Sequence, residues 1–204
     1  MVLDSRIRGA WDQLMKPVGI ALARSGLSAN AITVGGLVLQ LAAAGLILDG
    51  RLLIAAAVAT AAGLSDALDG AVAKAQGGGS VFGALIDSTT DRLSDALLFL
   101  PIAWLYGVSF PADKSGQEWV AALSLVVMVV SFLVSYVKAR AEGLGFECNT
   151  GIIERAERLI LMILGLALDL VPIALIVVGT LSVITLAQRL LYVRAQIRGV
   201  PAHE

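Results

Sequence analysis

The sequence predicts an all-α, polytopic membrane protein: six transmembrane helices preceded by an N-terminal interfacial amphipathic helix. Composition points there first. The chain is 58% hydrophobic, with a mean hydropathy of +0.86. Its apolar residues fall in long runs, which a soluble domain does not show. Only 15% of residues are charged, and they are segregated rather than mixed. The 204 residues suit one domain of about six spans at ~20 residues each with short loops.

Residues 1–27 read as the interfacial helix. Ile7, Trp11, Leu14, Met15 and Val18 recur at spacings of 3 and 4. Such a stripe lies in the interface plane, with Trp11 at headgroup depth and Arg6, Arg8, Lys16 and Arg24 toward anionic lipid. Pro17 is expected to bend it. The alternative is a cap packed on the bundle. No cleavable signal peptide is expected, because basic residues interrupt the apolar stretch.

Residues 28–195 read as the transmembrane domain. The first span runs from about Ala31 to Leu48, with Ser28 and Asn30 as candidate N-caps. Asp49-Gly50-Arg51 makes a tight turn. The second span begins near Leu52, stays apolar to Leu64, then carries Asp66, Asp69 and Lys74 and ends in Gly77-Gly78-Gly79-Ser80. The third runs from Val81 to Tyr106, with Asp87, Asp91, Arg92 and Asp95 in its first half. A polar loop holds Asp113, Lys114, Gln117 and Glu118. The fourth runs from Trp119 to Val137, and a charged segment from Lys138 to Arg158 follows. The fifth runs from about Leu159, or a few residues before it, to Leu168. Asp169-Leu170-Val171-Pro172 turns into the sixth, which ends near Tyr192. Residues 196–204 are expected to form a short cytoplasmic tail. Cys148 is the only cysteine, so there is no internal disulfide and no thiolate metal site.

Charge orients this parsing. With both termini on one side, that side carries Arg6, Arg8, Lys16, Arg24, Lys74, Arg92, Lys138, Arg140, Arg155, Arg158, Arg189, Arg194 and Arg198. The other carries Arg51 and Lys114. Thirteen against two places both termini in the cytoplasm. The aspartates fall toward the same side, near the headgroups and away from the midplane depth of transport sites.

Those aspartates are costly where they stand. A charge in hydrocarbon costs roughly 3 kcal/mol or more, so it faces a bundle interior or a wet cavity. Asp66 and Asp69 are three apart on one helix face, and Asp87 and Asp91 are four apart on the next. A short glycine-rich loop makes the two helices adjacent and antiparallel, so both pairs can meet. Clustered carboxylates repel, and a divalent ion removes the penalty. Oxygen ligands select Mg²⁺, Mn²⁺ or Ca²⁺, and the one histidine, His203, is too terminal to suggest zinc. Gly70 and Ala73 keep the face between the aspartates open. Asp95 continues the Asp87/Asp91 stripe and reads as a hydrogen bonder inside the bundle. Gly77-Gly78-Gly79 lacks a surrounding P-loop pattern and reads as a hinge.

The full string is Asp66-x-x-Asp69-Gly70-x-x-Ala73-Lys74, eight residues, Gly83-x-x-x-Asp87-x-x-x-Asp91. It resembles the signature of the CDP-alcohol phosphotransferases, integral membrane enzymes of phospholipid synthesis. One position departs: the family usually has Arg where this chain has Lys74, which keeps the charge and loses the bidentate fork. The resemblance implies a CDP-linked donor over one or two Mg²⁺ or Mn²⁺ ions held by Asp66, Asp69, Asp87 and Asp91. Asp91 is the expected general base. Gly70, Lys74, Ser80 and the segment Asn30, Ala31, Ile32, Thr33 are the expected donor contacts.

The acceptor clue lies elsewhere. Ser135-Tyr136-Val137-Lys138-Ala139-Arg140-Ala141-Glu142, Ile153-Glu154-Arg155-Ala156-Glu157-Arg158-Leu159-Ile160 and Gln188-Arg189-Leu190 are similar to one branch of that family, the actinobacterial phosphatidylinositol phosphate synthases. So is the stretch from Gly77 to Asp95. The likeness covers residues from about 28 to 195. It implies CDP-diacylglycerol as donor and inositol 1-phosphate as acceptor, with Lys138, Arg140, Arg155, Arg158 and Arg189 binding the acceptor phosphate. It also implies a homodimer in the cell membrane, for which Gly35, Gly36, Ala42 and Gly45 offer close helix packing. No nucleic-acid partner is expected. Two other readings use the same residues: a phosphatidylglycerophosphate synthase acting on glycerol 3-phosphate, and a metal-ion or proton transporter.

Overall fold

The computed structural model describes residues 5–78, 80–108 and 116–199, with side chains from Met15 onward. Expectations for Ile7, Trp11 and Leu14 as side chains, for Gly79, for the loop carrying Asp113 and Lys114, and for His203 lie outside these residues. Seven helices follow in order: α1 (Ser5–Arg24), α2 (Ala29–Leu48), α3 (Leu52–Ala75), α4 (Val81–Gly107), α5 (Trp119–Gly143), α6 (Arg155–Ala167) and α7 (Val171–Gly199). Among the described residues there is no strand.

Helix starts follow their capping chemistry. Ser28, not Asn30, caps α2 by accepting from the Ala31 amide at 3.2 Å. Ser80 caps α4 by accepting from the Gly83 amide at 2.9 Å. Glu154 and Glu157 close a capping box at the start of α6, with the Glu154 amide donating to Glu157 at 2.8 Å. The box begins α6 four residues before the expected Leu159. Helix α5 runs on past Val137 through Lys138–Glu142. Helix α7 runs through the expected boundary at 195 to Gly199, so the tail does not begin at 196.

The expected six spans are not all of one kind. Four helices, α2, α3, α5 and α7, are long and apolar enough to cross a membrane. Helix α6 has 13 residues, about 20 Å at 1.5 Å per residue, against a hydrocarbon core of about 30 Å. Helix α4 is long enough, but Asp87, Asp91, Arg92 and Asp95 load its first half with charge. The short α6 is extended by segment 144–154, which runs beside the C-terminal half of α7. The Ile153 amide donates to Thr185 Oγ1 at 3.1 Å, Arg189 Nε donates to the Thr150 carbonyl at 3.0 Å, and Gln196 exchanges two bonds with the Glu147 backbone. Non-helical backbone at depth is tolerated where protein satisfies it.

Helix α1 packs on α3. A Cβ at Gly19 would stand 2.7 Å from the Ala71 carbonyl oxygen, so the absent side chain sets that approach. The helix continues through Pro17. The α2–α3 pair packs beside α4–α5, and α6 and α7 close on α3 and α5 respectively.

The apolar core lies at one end of the bundle. Ile47, Leu52, Leu105, Tyr106, Val120, Leu166 and Val171 form it, where α2, α4 and α6 end and α3, α5 and α7 begin. Ser124 Oγ donates to the Phe99 carbonyl there at 2.8 Å, tying α5 to α4. Asp66, Asp69, Asp87, Lys138, Arg155 and Arg189 lie at the opposite end, which is left open for chemistry. Cys148 is fully buried and unpaired.

Candidate active site

Helices α3 and α4 meet as their spacing predicts. Asp66, Asp69 and Asp87 bring carboxylate oxygens within 4.8 Å of one another. Asp69 is buried, and the Thr33 hydroxyl of α2 donates a short hydrogen bond to its Oδ2. At this distance each pair of like charges repels by about 3 kcal/mol at an effective dielectric of about 20. Three oxygen donors converging on one point fit a hard divalent cation, whose oxygen ligands stand about 2.0–2.6 Å from it.

Asp91, expected as the fourth ligand, is not part of this group. Its Oδ1 lies 2.9 Å from Arg155 Nη1, and its Oδ2 lies 3.3 Å from Arg92 Nη1. Protein cations therefore neutralise Asp91. The same Arg155 Nη1 is 3.1 Å from Asp66 Oδ2. One guanidinium thus joins the carboxylate group to Asp91.

A cavity of about 450 Å³ opens beside Asp69 and Asp87, lined also by Asn30, Thr33, Gly70 and Ser80. Four expected donor contacts are therefore brought together. Ala31 and Ile32 do not line it: Asn30 and Thr33, three apart, share the face of α2 turned to α3 and α4, and the residues between them point away. Lys74 does not line it either. It lies one turn beyond Gly70, in a groove of about 510 Å³ between α1 and α3 with Lys16 and Asp66. Gly70 lines both spaces, and a Cβ there would meet nothing within 4 Å. Gly83 differs: its Cβ would stand 3.1 Å from Ser80 Oγ and 3.6 Å from Asn30 Oδ1. Gly70 keeps space for a ligand; Gly83 lets the α4 cap approach α2.

A second pocket, about 290 Å³, holds the basic residues. Lys138 of α5, Arg155 and Arg158 of α6 and Arg189 of α7 line it with Ser88, Asp91 and Arg92. Arg140 does not; it is exposed on α5, two residues from Lys138 and so on another face. The capping box explains the arrangement. Glu157 turns back to the Glu154 amide, Glu154 also lines the basic pocket, and Arg155 and Arg158, three apart, share the face toward α4. Arg189 is 5% exposed, and its Nη1 donates to the Val134 carbonyl at 2.7 Å. Part of its charge therefore braces α5.

Sequence reasoning left the partners of two residues unread: Asp95, expected only as a hydrogen bonder inside the bundle, and Arg92. Asp95 pairs with both α6 arginines, 3.5 Å from Arg155 Nε and 3.6 Å from Arg158 Nη2. Arg92 pairs with its neighbour Asp91. The i+4 step from Asp91 to Asp95 was a signal; its cationic partners, 60 or more residues away in the chain, were not.

Comparison with known proteins agrees with this geometry. The family model for CDP-alcohol phosphatidyltransferase matches residues 27–193. The chain belongs to the CDP-alcohol phosphatidyltransferase family. Among its relatives is a phosphatidylinositol phosphate synthase of Mycolicibacterium smegmatis, 37% identical over 92% of this chain and 86% of that protein. An archaetidylinositol phosphate synthase of Methanothermobacter thermautotrophicus is 38% identical over 83% of this chain and 85% of that one. Crystal structures of the Mycobacterium tuberculosis phosphatidylinositol phosphate synthase superpose with a TM-score of 0.78. One, in complex with manganese and citrate, covers 88% of each chain at 33% identity. Another, with CDP-DAG bound, covers 89% of this chain and 94% of that one at 34% identity. Family membership and four apolar helices of spanning length make this phosphatidyltransferase an integral membrane protein.

Proposed function

We propose that this CDP-alcohol phosphatidyltransferase moves the phosphatidyl group of CDP-diacylglycerol to a hydroxyl of inositol 1-phosphate, giving phosphatidylinositol phosphate and CMP. The observation that carries this reading is the position of Asp91. It stands between an all-oxygen carboxylate triad and a pocket lined by one lysine and four arginines. A diphosphate over the triad and a phosphate among the cations put the two reacting groups on either side of one carboxylate.

Asp66, Asp69 and Asp87 are the residues that hold one or two divalent ions, Mg²⁺ or Mn²⁺. When bound, such an ion neutralises the diphosphate and stabilises the departing CMP. Asn30, Thr33, Gly70 and Ser80 line the space for cytidine and its phosphates, and Lys74 reaches the donor from the α1–α3 groove. Lys138, Arg155, Arg158 and Arg189 bind the acceptor phosphate by charge-assisted bonds. Asp91 takes the proton of the attacking inositol hydroxyl. The oxygen so released forms a bond to the phosphorus that bears diacylglycerol, and the bond from that phosphorus to CMP breaks. For Asp91 to serve also as a metal ligand, Arg155 must leave it.

The relatives support the acceptor. The M. smegmatis and M. thermautotrophicus enzymes differ in the lipid part of their names and share inositol phosphate. The solved relatives with manganese and with CDP-DAG support the metal and the donor. In the membrane, α4 and α6 cross within the bundle as fifth and sixth spans, α1 lies along the cytoplasmic interface, and both termini and the site face the cytoplasm of a plasma-membrane homodimer. The test is CMP release from CDP-diacylglycerol with Mg²⁺ or Mn²⁺ across an acceptor panel. Dependence on inositol 1-phosphate is expected. Dependence on glycerol 3-phosphate instead would make the chain a phosphatidylglycerophosphate synthase, and ion flux without CMP release a transporter.

A further inference from the structure

Asp95 lies outside the aspartate string, one turn deeper in α4 than Asp91. It is 7% exposed and faces two guanidiniums, Arg155 Nε at 3.5 Å and Arg158 Nη2 at 3.6 Å. Those arginines are themselves largely buried, and both line the basic pocket. They stand three apart on one face of α6, with Arg189 lining the same pocket. Like charges so placed repel, and in a buried setting they need a fixed counter-charge.

Asp91 cannot supply it for both. Asp91 engages Arg155 and Arg92, and Asp66 engages the same Arg155 nitrogen. Arg158 pairs with Asp95, whose Oδ2 stands 3.6 Å from its Nη2. Arg155 is thus held on two sides: Nη1 by Asp66 and Asp91, Nε by Asp95. Asp95 Oδ2, Arg155 Nε and Arg158 Nη2 are buried and lie at ion-pair distance, beyond good hydrogen-bond geometry. The contact sets guanidinium position by charge while leaving donors to spare.

We propose that Asp95 is a positioning residue for the acceptor phosphate, holding Arg155 and Arg158 in the geometry that receives it. The inference rests on the acceptor reading above. Asp95 does not itself line the basic pocket; it acts through the two arginines that do. Because Arg155 and Arg158 line the basic pocket and neither lines the donor cavity, the effect of Asp95 is expected on the acceptor.

The experiment is steady-state kinetics of purified full-length Asp95→Asn with CDP-diacylglycerol and inositol 1-phosphate varied separately. The KM for inositol 1-phosphate is expected to rise about tenfold or more, the scale of losing a charge-assisted contact, with the KM for CDP-diacylglycerol unchanged. Combined with Arg158→Gln, Asp95→Asn must cost less than it does alone, because its target is already gone. An unchanged acceptor KM, an equal rise for both substrates, or full additivity with Arg158→Gln overturns the proposal. If Asp95→Asn does not fold, Asp95→Glu decides. It keeps the charge and displaces it by one methylene, so a rise in the acceptor KM alone supports the proposal and a wild-type value overturns it. Failure of the acceptor reading is seen separately, as a wild-type enzyme indifferent to inositol 1-phosphate.

Discussion

Arg155 Nη1 stands 2.9 Å from Asp91 Oδ1, so the residue placed as base and a residue of the acceptor pocket form one ion pair. The arginine comes from the first position of α6 and the aspartate from the third turn of α4. Their contact joins the two halves of the site. It also gives Asp91 a cation partner beside the carboxylate triad.

Replacing Asp91 by Asn keeps the shape and removes the base. Asp91→Asn is expected to fold and to bind CDP-diacylglycerol, and to lose turnover by about 10²–10⁴-fold, the usual worth of a positioned base. CMP release and donor binding measured on the same preparation check it. Substantial remaining turnover takes Asp91 out of the role.

Metal removal tests the triad. Chelation by EDTA should abolish CMP release, and Mg²⁺ or Mn²⁺ should restore it. Asp87→Asn removes one of three converging oxygen sets, so half-maximal activity should need at least about tenfold more metal, the order of one lost ligand-scale interaction. An unchanged metal requirement would move the ion elsewhere.

Two glycines separate ligand space from packing space. At Gly70 an added Cβ meets nothing within 4 Å, so Gly70→Ala should not lower the melting temperature and gains up to about 1 kcal/mol of helix propensity. It should still raise the KM for CDP-diacylglycerol, because it fills the donor cavity. At Gly165 the added Cβ overlaps Ala174 Cβ across the α6–α7 contact. Gly165→Ala should destabilise by about 1–3 kcal/mol, the usual cost of overpacking. Thermal unfolding in detergent distinguishes the two.

Arg189 serves two ends. Its Nε and Nη1 donate to the Thr150 and Val134 carbonyls, and it lines the basic pocket. Arg189→Met strips partners from two carbonyls, so a loss of about 2 kcal/mol or more in stability should accompany the rise in acceptor KM. A kinetic defect with unchanged unfolding would assign Arg189 to the acceptor alone.

Four apolar helices of spanning length and the aspartate pairs were legible because both are short-range facts. Ser28 announces α2 through a bond three residues long, and i+3 spacing puts Asp66 beside Asp69; Ser80, read only as a donor contact, also caps α4. Other boundaries resisted for an equally local reason. The Glu154–Glu157 capping box fixes the start of α6, which the sequence placed only near Leu159 or a few residues before it. Its 13 residues also leave it too short to count as a span by itself. Within the donor set, helical phase sorted Asn30 and Thr33 from Ala31 and Ile32, which a contiguous motif does not distinguish.

The chain's order of residues was enough to predict an apolar bundle, its charged end and a meeting of Asp66, Asp69, Asp87 and Asp91 across α3 and α4, of which the structure groups the first three. Periodicity and a short glycine turn dictate those, with no reference to the rest of the fold. Which cation each carboxylate faces depended on the packing of α6 against α3 and α4. Side chains of α6 reach both helices: Arg155 meets Asp66 of α3 across 89 positions, and Arg158 meets Asp95 of α4. Ion pairing falls off with distance in space and is indifferent to distance along the chain. The aspartates were readable as a candidate metal site from their spacing; which arginines Asp91 and Asp95 face was a property of the tertiary structure.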